Sequence, residues 1–596
     1  MCGIVGICSQ KLSPEEKKRL VSRMAASMVH RGPDGTSVYA DGDIGLAVSR
    51  LAIVDRNYEE QIFWNENKTL GIVFNGEIFN YSDIRRQLSK HHHFASRTDT
   101  EVALHAFEEY GIPAFDKFSG DYAFALWDRT KRQGMLVRDR IGVKPLYYAK
   151  VEQGFVFASE IKALLLCFPE LAHLDEQSLY DYLSYRFVPG EKTIFRAIYR
   201  LRPGTWLTFA QHGCTVSQRY WKFSRSNLSP KDEAELLNMG RELIVQAVHT
   251  RIPKEVDYGV LLSGGLDSSL ISALVAQSQQ RPLHTFSIVF LGDKRFEAHS
   301  EHPYSRLVAK ALGTLHAEVP VTPEQFRDAC PRTIMHIEEP LGDPPTALLG
   351  ILCAFAHNSA TVLLSGEGAD ELCAGYPVYA RGRSGKQNYT GMGHLLTDAE
   401  KCSLLSAEFL TALQRKDSST LTLPQAEEVQ SWDLLHQMLS IDCQNWLVDD
   451  LLLKADKMSM MSSTEIRVPY LDHRFVEFAF SLPSSLKIRG SESKYILRKI
   501  AEPYLPASII QQQKRGFPLP LGAWLKGPLR AWAKELLLSG LLKRGYFHVP
   551  SFQKLVDTYF KDDADEYLPN HIIWSMLVLE LFHQIFLEKY GRPSPP

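Results

Sequence analysis

The sequence predicts two units: an α+β sandwich over residues 1–205, then, after a connection at 206–240, an α/β domain over 241–596. The second unit is read as a parallel sheet wound with helices, followed by a helical C-terminal part. Three observations predict this. A chain of 596 residues exceeds what one hydrophobic core fills. In the first third, strand-like runs rich in Val, Ile and Phe follow one another beside helices, without β-α-β alternation. Beyond residue 240, short apolar runs alternate with helical ones, the pattern of a wound parallel sheet.

Taken in order, "SPEEKKRLVSRMAASMVH" predicts a helix with Ser13 as N-cap, Pro14 at the first helical position and Glu16 closing a capping box. Leu20, Met24 and Met28, one turn apart, give it a buried stripe. "IGLAVSRLAIV" and "LGIVFNGEIF" read as strands, the second with a turn at its Asn-Gly. "TEVALHAFEEYG" reads as the second helix, stopped by Gly111. "YAFALWD", "GMLVRDR", "PLYYAK" and "FVFAS" read as four further strands. The polar "SRSNLSPKDEAE" is a connection. "YGVLL", "LHTFSIVF" and "LHAEV" are each followed by a helix, "TVLL" is a fourth strand, and helical periodicity dominates from about residue 430. "GRSGKQNYTGMG" reads as a mobile loop and the terminal "GRPSPP" as a disordered tail.

Composition excludes several classes. The apolar share of 45% and charged share of 23% are ordinary for a soluble protein. Lys+Arg at 67 against Asp+Glu at 69 gives no nucleic acid or anionic membrane as expected partner. No run of eighteen apolar residues predicts a membrane span, and the short apolar opening followed by "KLSPEEKKRL" is not a secretory signal. Nine irregularly spaced cysteines without a CxxC pair predict neither a disulfide framework nor a structural zinc. A reducing, cytoplasmic location is expected.

Two stretches carry chemistry. The chain opens "MCGIVGI". A thiol of ordinary pKa, about 8.5, is only a few per cent thiolate at neutral pH and needs a base beside it. Removal of Met1 would give Cys2 an α-amino group of pKa about 7.7–8.0, suited to that task. Attack on an amide then builds an oxyanion that requires preorganised donors. Taken singly, Asn75-Gly76 is also a turn dipeptide, and Arg50 and Asp99 could form a surface ion pair.

The ordered set "CGIVGI", "HRGPDG", "SRLAIVD", "FNGEIFNY" and "RTDTEV" resembles class II glutamine amidotransferase domains across residues 1–205. The resemblance implies an N-terminal nucleophile hydrolase (αββα) sandwich with Cys2 as nucleophile. It implies Asn75 and Gly76 as oxyanion hole, and Arg50 as partner of the glutamine α-carboxylate. Glu77 and Asp99 would hold the α-ammonium, with the backbone near Val54 completing the pocket.

"YGVLLSGGLDSS" is not a Walker A loop, having no Lys after its glycines. A strand, two glycines and a helix start still gather N–H groups around one spot, which suits phosphate. Asp267 belongs there only if a cation such as Mg²⁺ comes with the phosphate. With "VLLSGEGADELCAGY", "LLLKADKMSM", "EIRVPYLDHRF" and "SKYILRK", the loop resembles that of N-type ATP pyrophosphatases. Over nearly the whole chain the set is similar to glutamine-hydrolysing asparagine synthetases, and "KRGFPLPLGAWL" to their bacterial members.

This resemblance implies acyl-adenylate chemistry. ATP would lie against Leu261, Ser263, Gly264, Gly265, Asp267, Ser268, Ile288, Ser365 and Gly366. Asp267 and Asp370 would hold Mg²⁺, Lys494 would meet charge on the α-phosphate, and Glu367 would be general base for ammonia. The substrates implied are glutamine, ATP and aspartate, and the assembly a homodimer. The same machinery also amidates other carboxylic acids or, as in β-lactam synthetases, closes rings. Cys373, Ala374, Pro345 and Thr346 depart from the family pattern near the expected acceptor, and no Pro follows Gln61. The triplet His91–His93 reads as a solvated turn, because consecutive residues cannot all face one ion and no acidic partner adjoins them.

Overall fold

In the computed structural model, the described residues are 2–225, 232–279, 281–291, 296, 302–382, 389–512, 519–561 and 565–590. The first unit consists of two six-stranded sheets with every pairing antiparallel. One sheet runs in the order Ile198–Arg200, Tyr147–Val151, Gly154–Ala158, Cys2–Cys8, Ile44–Arg50, Gly35–Ala40. The other runs Gly213–Arg219, Thr205–Ala210, Gln133–Arg138, Gly120–Asp128, Leu70–Ile78, Phe63–Trp64. Their facing sides bury Ile4, Leu46, Val48, Val73, Ala125, Trp127, Phe157 and Phe209 as one core. On the outer side of the first sheet, the helix Pro14–Ala26 buries Val21 and Met24 against Val5 and Ile7. On the outer side of the second, Tyr81–Leu88 and Asp99–Tyr110 pack on Ile72 and Phe74. These are the four layers, helix–sheet–sheet–helix, of an N-terminal nucleophile hydrolase sandwich.

The predicted start of the first helix and stop of the second hold, but the first helix ends at Ala26, so Met28 is buried beyond it rather than on its stripe. Ser13 Oγ accepts from Glu16 N, and the Glu16 carboxylate accepts from Ser13 N at 2.8 Å. Gly111 ends its helix at φ +64°. Two further local readings do not hold. The stretch containing Asn75-Gly76 is no turn but an unbroken strand, with Asn75 opposite Ala123 and Gly76 opposite Tyr122. Glycine is required there by close approach: a Cβ on Gly76 would lie 2.1 Å from the Asp121 carbonyl oxygen. The second difference is that more than two helices occur, since Tyr81–Leu88, Ile161–Cys167 and Glu176–Tyr185 are also helical. The second sheet continues past residue 205 through Thr205–Ala210 and Gly213–Arg219, and the next helix begins at Glu233.

The second unit is built on a five-stranded parallel sheet in the order Leu315–Val321, His284–Phe290, Tyr258–Leu261, Val362–Leu364, Glu465–Arg467. Four of its strands match the predicted runs; the fifth, Glu-Ile-Arg, has a single apolar residue and so carries no strand-like run to read. Apart from a short hairpin pairing Ile488–Arg489 with Glu492–Ser493, the remaining elements among the described residues are helical, as periodicity predicts. The apolar stretch Tyr567–Tyr590 is long enough to cross a bilayer, but 78% of its most apolar window is buried inside the protein, so it serves as a core helix. All nine cysteines are free thiols. Met1, half of the "GRSGKQNYTGMG" segment and the terminal "GRPSPP" lie outside the described residues.

Candidate active sites

The first site forms where three strands and a helix start converge. Cys2 opens the strand Cys2–Cys8 directly opposite Arg50. Its backbone N–H donates to Asn75 Oδ1 at 3.1 Å, across to the second sheet. Asn75 is fully buried, and its Nδ2 has no hydrogen-bond partner. A buried amide that spends its oxygen on the Cys2 nitrogen and keeps its N–H group unspent is a donor available to a bound molecule. Arg50 donates to the carbonyls of Val54 at 3.2 Å, Asp55 at 2.8 Å and Tyr58. It therefore shapes the segment after its own strand and leaves a buried positive charge beside Cys2.

The carboxylates Glu77 and Asp99 lie at the far side. Asp99 Oδ2 accepts from Ile78 N at 2.9 Å, and burial pushes Asp99 up to about 6. Burial likewise pushes Glu77 up to about 7, against the pull of Arg467, with Glu465 and Asp99 adding repulsion. Two buried carboxylates that share incomplete compensation are a receptor for a cation. Every residue expected at this site is thus brought together.

The second site lies at the C-terminal ends of the parallel strands, where such sheets open a crevice. Between Tyr258–Leu261 and the helix Leu266–Gln277, the Ser263 hydroxyl lies 3.0 Å from that of Ser268 and accepts from Gly265 N. Gly264, at φ +88°, passes so close to the next helix that a Cβ would meet Ser305 N at 2.4 Å. The helix start has no side-chain cap, which leaves its N–H groups to a ligand. Gly366 packs on the same turn: a Cβ there would lie 2.9 Å from Ser268 N. Lys494 Nζ lies 2.6 Å from both Asp267 Oδ2 and Asp370 Oδ1. It is held at φ +53° just before the helix Tyr495–Ala501, a conformation that a non-glycine residue keeps only where its surroundings demand it. Gly375 makes the pairing possible, since a Cβ there would collide with the Asp370 carboxylate and Lys494 Cε. Asp267 Oδ1 is buried without a hydrogen-bond partner. Ser365 is buried at the end of Val362–Leu364, Leu261 and Ile288 flank the loop on adjacent strands, and Glu367 is half-buried between its two glycines. Burial beside Asp370 pushes Glu371 up to about 8.

Sequence reading missed the residues that join the sites. Arg467 donates to the Glu77 carboxylate, while its own carbonyl accepts from Ser365 N at 3.0 Å. Arg31 donates from Nε to the Cys2 carbonyl at 3.2 Å and forks onto Asp456 at 2.8 and 3.1 Å. Both arginines are fully buried. Both lie inside quoted motifs, "EIRVPYLDHRF" and "HRGPDG", but only three-dimensional pairing reveals their partners.

A sandwich with a half-buried thiol beside a buried amide, joined through shared arginines to a phosphate-type loop with an Asp–Lys–Asp cluster, defines a two-module amidotransferase. Residues 1–221 match the glutamine amidotransferase domain and residues 239–584 match asparagine synthase. Asparagine synthetase (glutamine-hydrolyzing) 1 of Bacillus subtilis strain 168 is 31% identical, covering 100% of this chain and 98% of its own. Asparagine synthetase (glutamine-hydrolyzing) 3 of the same strain is 32% identical, covering 87% of each chain. Asparagine synthetase B of Escherichia coli K12 is 29% identical over 92% of this chain and 88% of its own. The chain belongs to the glutamine-hydrolysing asparagine synthetase family, and its activity is ATP-dependent amidation with glutamine as nitrogen donor.

Proposed function

We propose that the acceptor is L-aspartate, converted with glutamine and ATP to L-asparagine, L-glutamate, AMP and diphosphate through a β-aspartyl adenylate. The name shared by relatives across the whole chain supports the acceptor. The observation that carries the coupled reading is Arg467, one residue touching the glutamine-side Glu77 and the nucleotide-side Ser365.

In this reading the α-amino group of Cys2, freed of Met1 and fixed by Asn75 Oδ1, takes the thiol proton. The thiolate attacks the glutamine carboxamide, and Asn75 Nδ2 with the Gly76 N–H receives the oxyanion. Arg50 and the Val54 backbone face the α-carboxylate; Glu77 and Asp99 face the α-ammonium. Released ammonia is a nucleophile only while unprotonated, so passage between joined modules preserves it better than passage through water.

At the second site the loop Ser263–Ser268, with Leu261, Ile288, Ser365 and Gly366, cradles ATP. Asp267 and Asp370 are hard oxygen donors, and the buried, unpartnered Asp267 Oδ1 fits a divalent cation. Mg²⁺ held there would offset diphosphate charge. Lys494 stabilises charge on the α-phosphate, and Glu367 takes a proton from attacking ammonia.

The raised Asp99 predicts a pH effect. Below about pH 6 it protonates and ceases to attract the α-ammonium. Glu77, pushed up to about 7, protonates first, so the KM for glutamine begins to climb as pH falls through about 7 and steepens below about 6, where Asp99 follows; a constant KM from pH 5.5 to 8 removes both carboxylates from the pocket.

A second reading, the same chemistry on another carboxylic acid, is favoured by Cys373, Ala374, Pro345 and Thr346. Ala374 is held at φ +59°, where the family's expected glycine would sit without strain. Incubation with glutamine, ATP and a panel of acids, with mass identification of the amide, decides between them. Asparagine formed with equal AMP and diphosphate is expected; no amide from aspartate, with one from another acid, replaces the acceptor. Amide formed with ADP rather than AMP removes the adenylate.

A further inference from the structure

The His91–His93 turn is not simply solvated. His92 meets Glu66 from the turn before Leu70–Ile78, and His105 and Glu108 from the helix Asp99–Tyr110. One ligand-type atom from each of these four residues lies within 4.8 Å of all the others. His105 Nδ1 donates a hydrogen bond to Glu108 Oε2 at 3.2 Å, a proton that a bound ion would displace, while His92 Nδ1 lies 3.6 Å from Glu108 Oε2 and His105 Nδ1 3.9 Å from Glu66 Oε2. His92 Nδ1 to Glu66 Oε1 is 4.0 Å. Ligand atoms about 2.0–2.1 Å from a tetrahedral ion stand about 3.3 Å apart, so small side-chain movements close the set around one ion.

The outer contacts orient the same atoms. His92 Nε2 lies 3.1 Å from Glu109 Oε2. An ionised carboxylate only accepts, so Nε2 carries the proton, and in the neutral ring Nδ1 then presents a lone pair. That lone pair faces the Glu66 and Glu108 oxygens, which also only accept. At 3.6 and 4.0 Å these contacts are too long for hydrogen bonds. Asn65 Nδ2 donates to Glu108 Oε1 at 2.8 Å, and His93 N donates to Glu66 Oε1 at 3.1 Å. Carboxylate on the far nitrogen of a histidine and amide on the far oxygen of a carboxylate are the outer contacts typical of metal ligands.

We propose that Glu66, His92, His105 and Glu108 form a binding site for one divalent cation of the zinc class, with Glu109 orienting His92. Two imidazoles and two carboxylates suit zinc's preference for nitrogen and oxygen ligands in a four-coordinate shell. The ion ties the turn leading into the strand of Asn75 and Glu77 to the helix that begins at Asp99. It is a structural clamp behind the glutamine pocket, outside the reacting atoms.

The test uses the full-length chain carrying Cys2→Ala, which removes the terminal thiol as a competing ligand. After chelator treatment it is dialysed against micromolar Zn²⁺, and bound metal is counted by mass spectrometry. One zinc per chain is expected, with a rise in Tm over the metal-free protein. Adding Glu66→Gln, at an exposed position, or His92→Gln should weaken binding at least tenfold, and Glu109→Gln by about 10–100-fold. No zinc retained by the Cys2→Ala protein overturns the site, as does equal retention by the His92→Gln and Glu66→Gln forms.

Discussion

Replacing Cys2 with Ala abolishes glutamine-dependent synthesis, by at least about 10³-fold, the scale on which loss of a nucleophile acts. Ammonia-dependent synthesis persists. The reason is geometric. The Cys2 side chain belongs to the sandwich, whereas the Asp267–Lys494–Asp370 cluster belongs to the parallel sheet. The substitution leaves the Cys2 N–H bond to Asn75 and the Arg31 contact to the Cys2 carbonyl intact, because both use backbone atoms. Removing the thiol therefore deletes chemistry without deleting the joint between modules. The check is diphosphate release with glutamine and with ammonium salts, measured side by side. Loss of both activities in a folded protein would show that the thiol also serves the ligase half. The intact mass of active wild-type protein bears on the base: retained Met1 leaves Cys2 N in an amide bond and removes it as proton acceptor.

Much of this site was legible because its residues sit in contiguous motifs with strong local constraints. Ser13 and Glu16 declare a helix start, and Gly264 declares a loop that must approach another backbone. Local signals failed where tertiary pairing overrides them. Asn-Gly is a strong turn dipeptide, yet at Asn75-Gly76 the glycine answers to the Asp121 carbonyl of the neighbouring strand. The strand Glu465–Arg467, with charged residues at both ends of its three, shows no apolar run, whereas the equally short Val362–Leu364 does. Long-range ion pairs leave no periodic trace. Arg467 and Glu77 lie 390 positions apart, and Arg31 and Asp456 425 apart. Each arginine is fully buried with its charge answered by a carboxylate, which offsets the cost of taking it out of water. The cluster around His92 escaped for the same reason, its acidic partners arriving from a preceding turn and a following helix.

Replacing Lys494 with Ala should lower both glutamine- and ammonia-dependent synthesis by about 10²–10³-fold, the loss expected when one preorganised charge-stabilising group is removed. Glutamine hydrolysis should survive, because among the described residues the ion pairs of Lys494 go to Asp267 and Asp370, not to the Cys2 site. Lys494 Nζ is the cation between two carboxylates, 2.6 Å from each, so its removal also leaves like charges facing one another in a buried place. That repulsion costs about 3–5 kcal/mol for a broken buried pair, and a divalent cation relieves it. The variant should therefore bind Mg²⁺ more tightly than wild type while catalysing more slowly, a divergence that simple unfolding does not produce. Lys494→Arg should not restore the rate. The flat guanidinium cannot occupy the space beside Gly375, which is already so narrow that a Cβ would strike Lys494 Cε at 2.2 Å. Diphosphate release, glutaminase rate and a Mg²⁺ titration of thermal stability check the three parts together. Synthesis undiminished in Lys494→Ala would place the α-phosphate elsewhere, and lost glutaminase would mean that the two modules stand or fall as one.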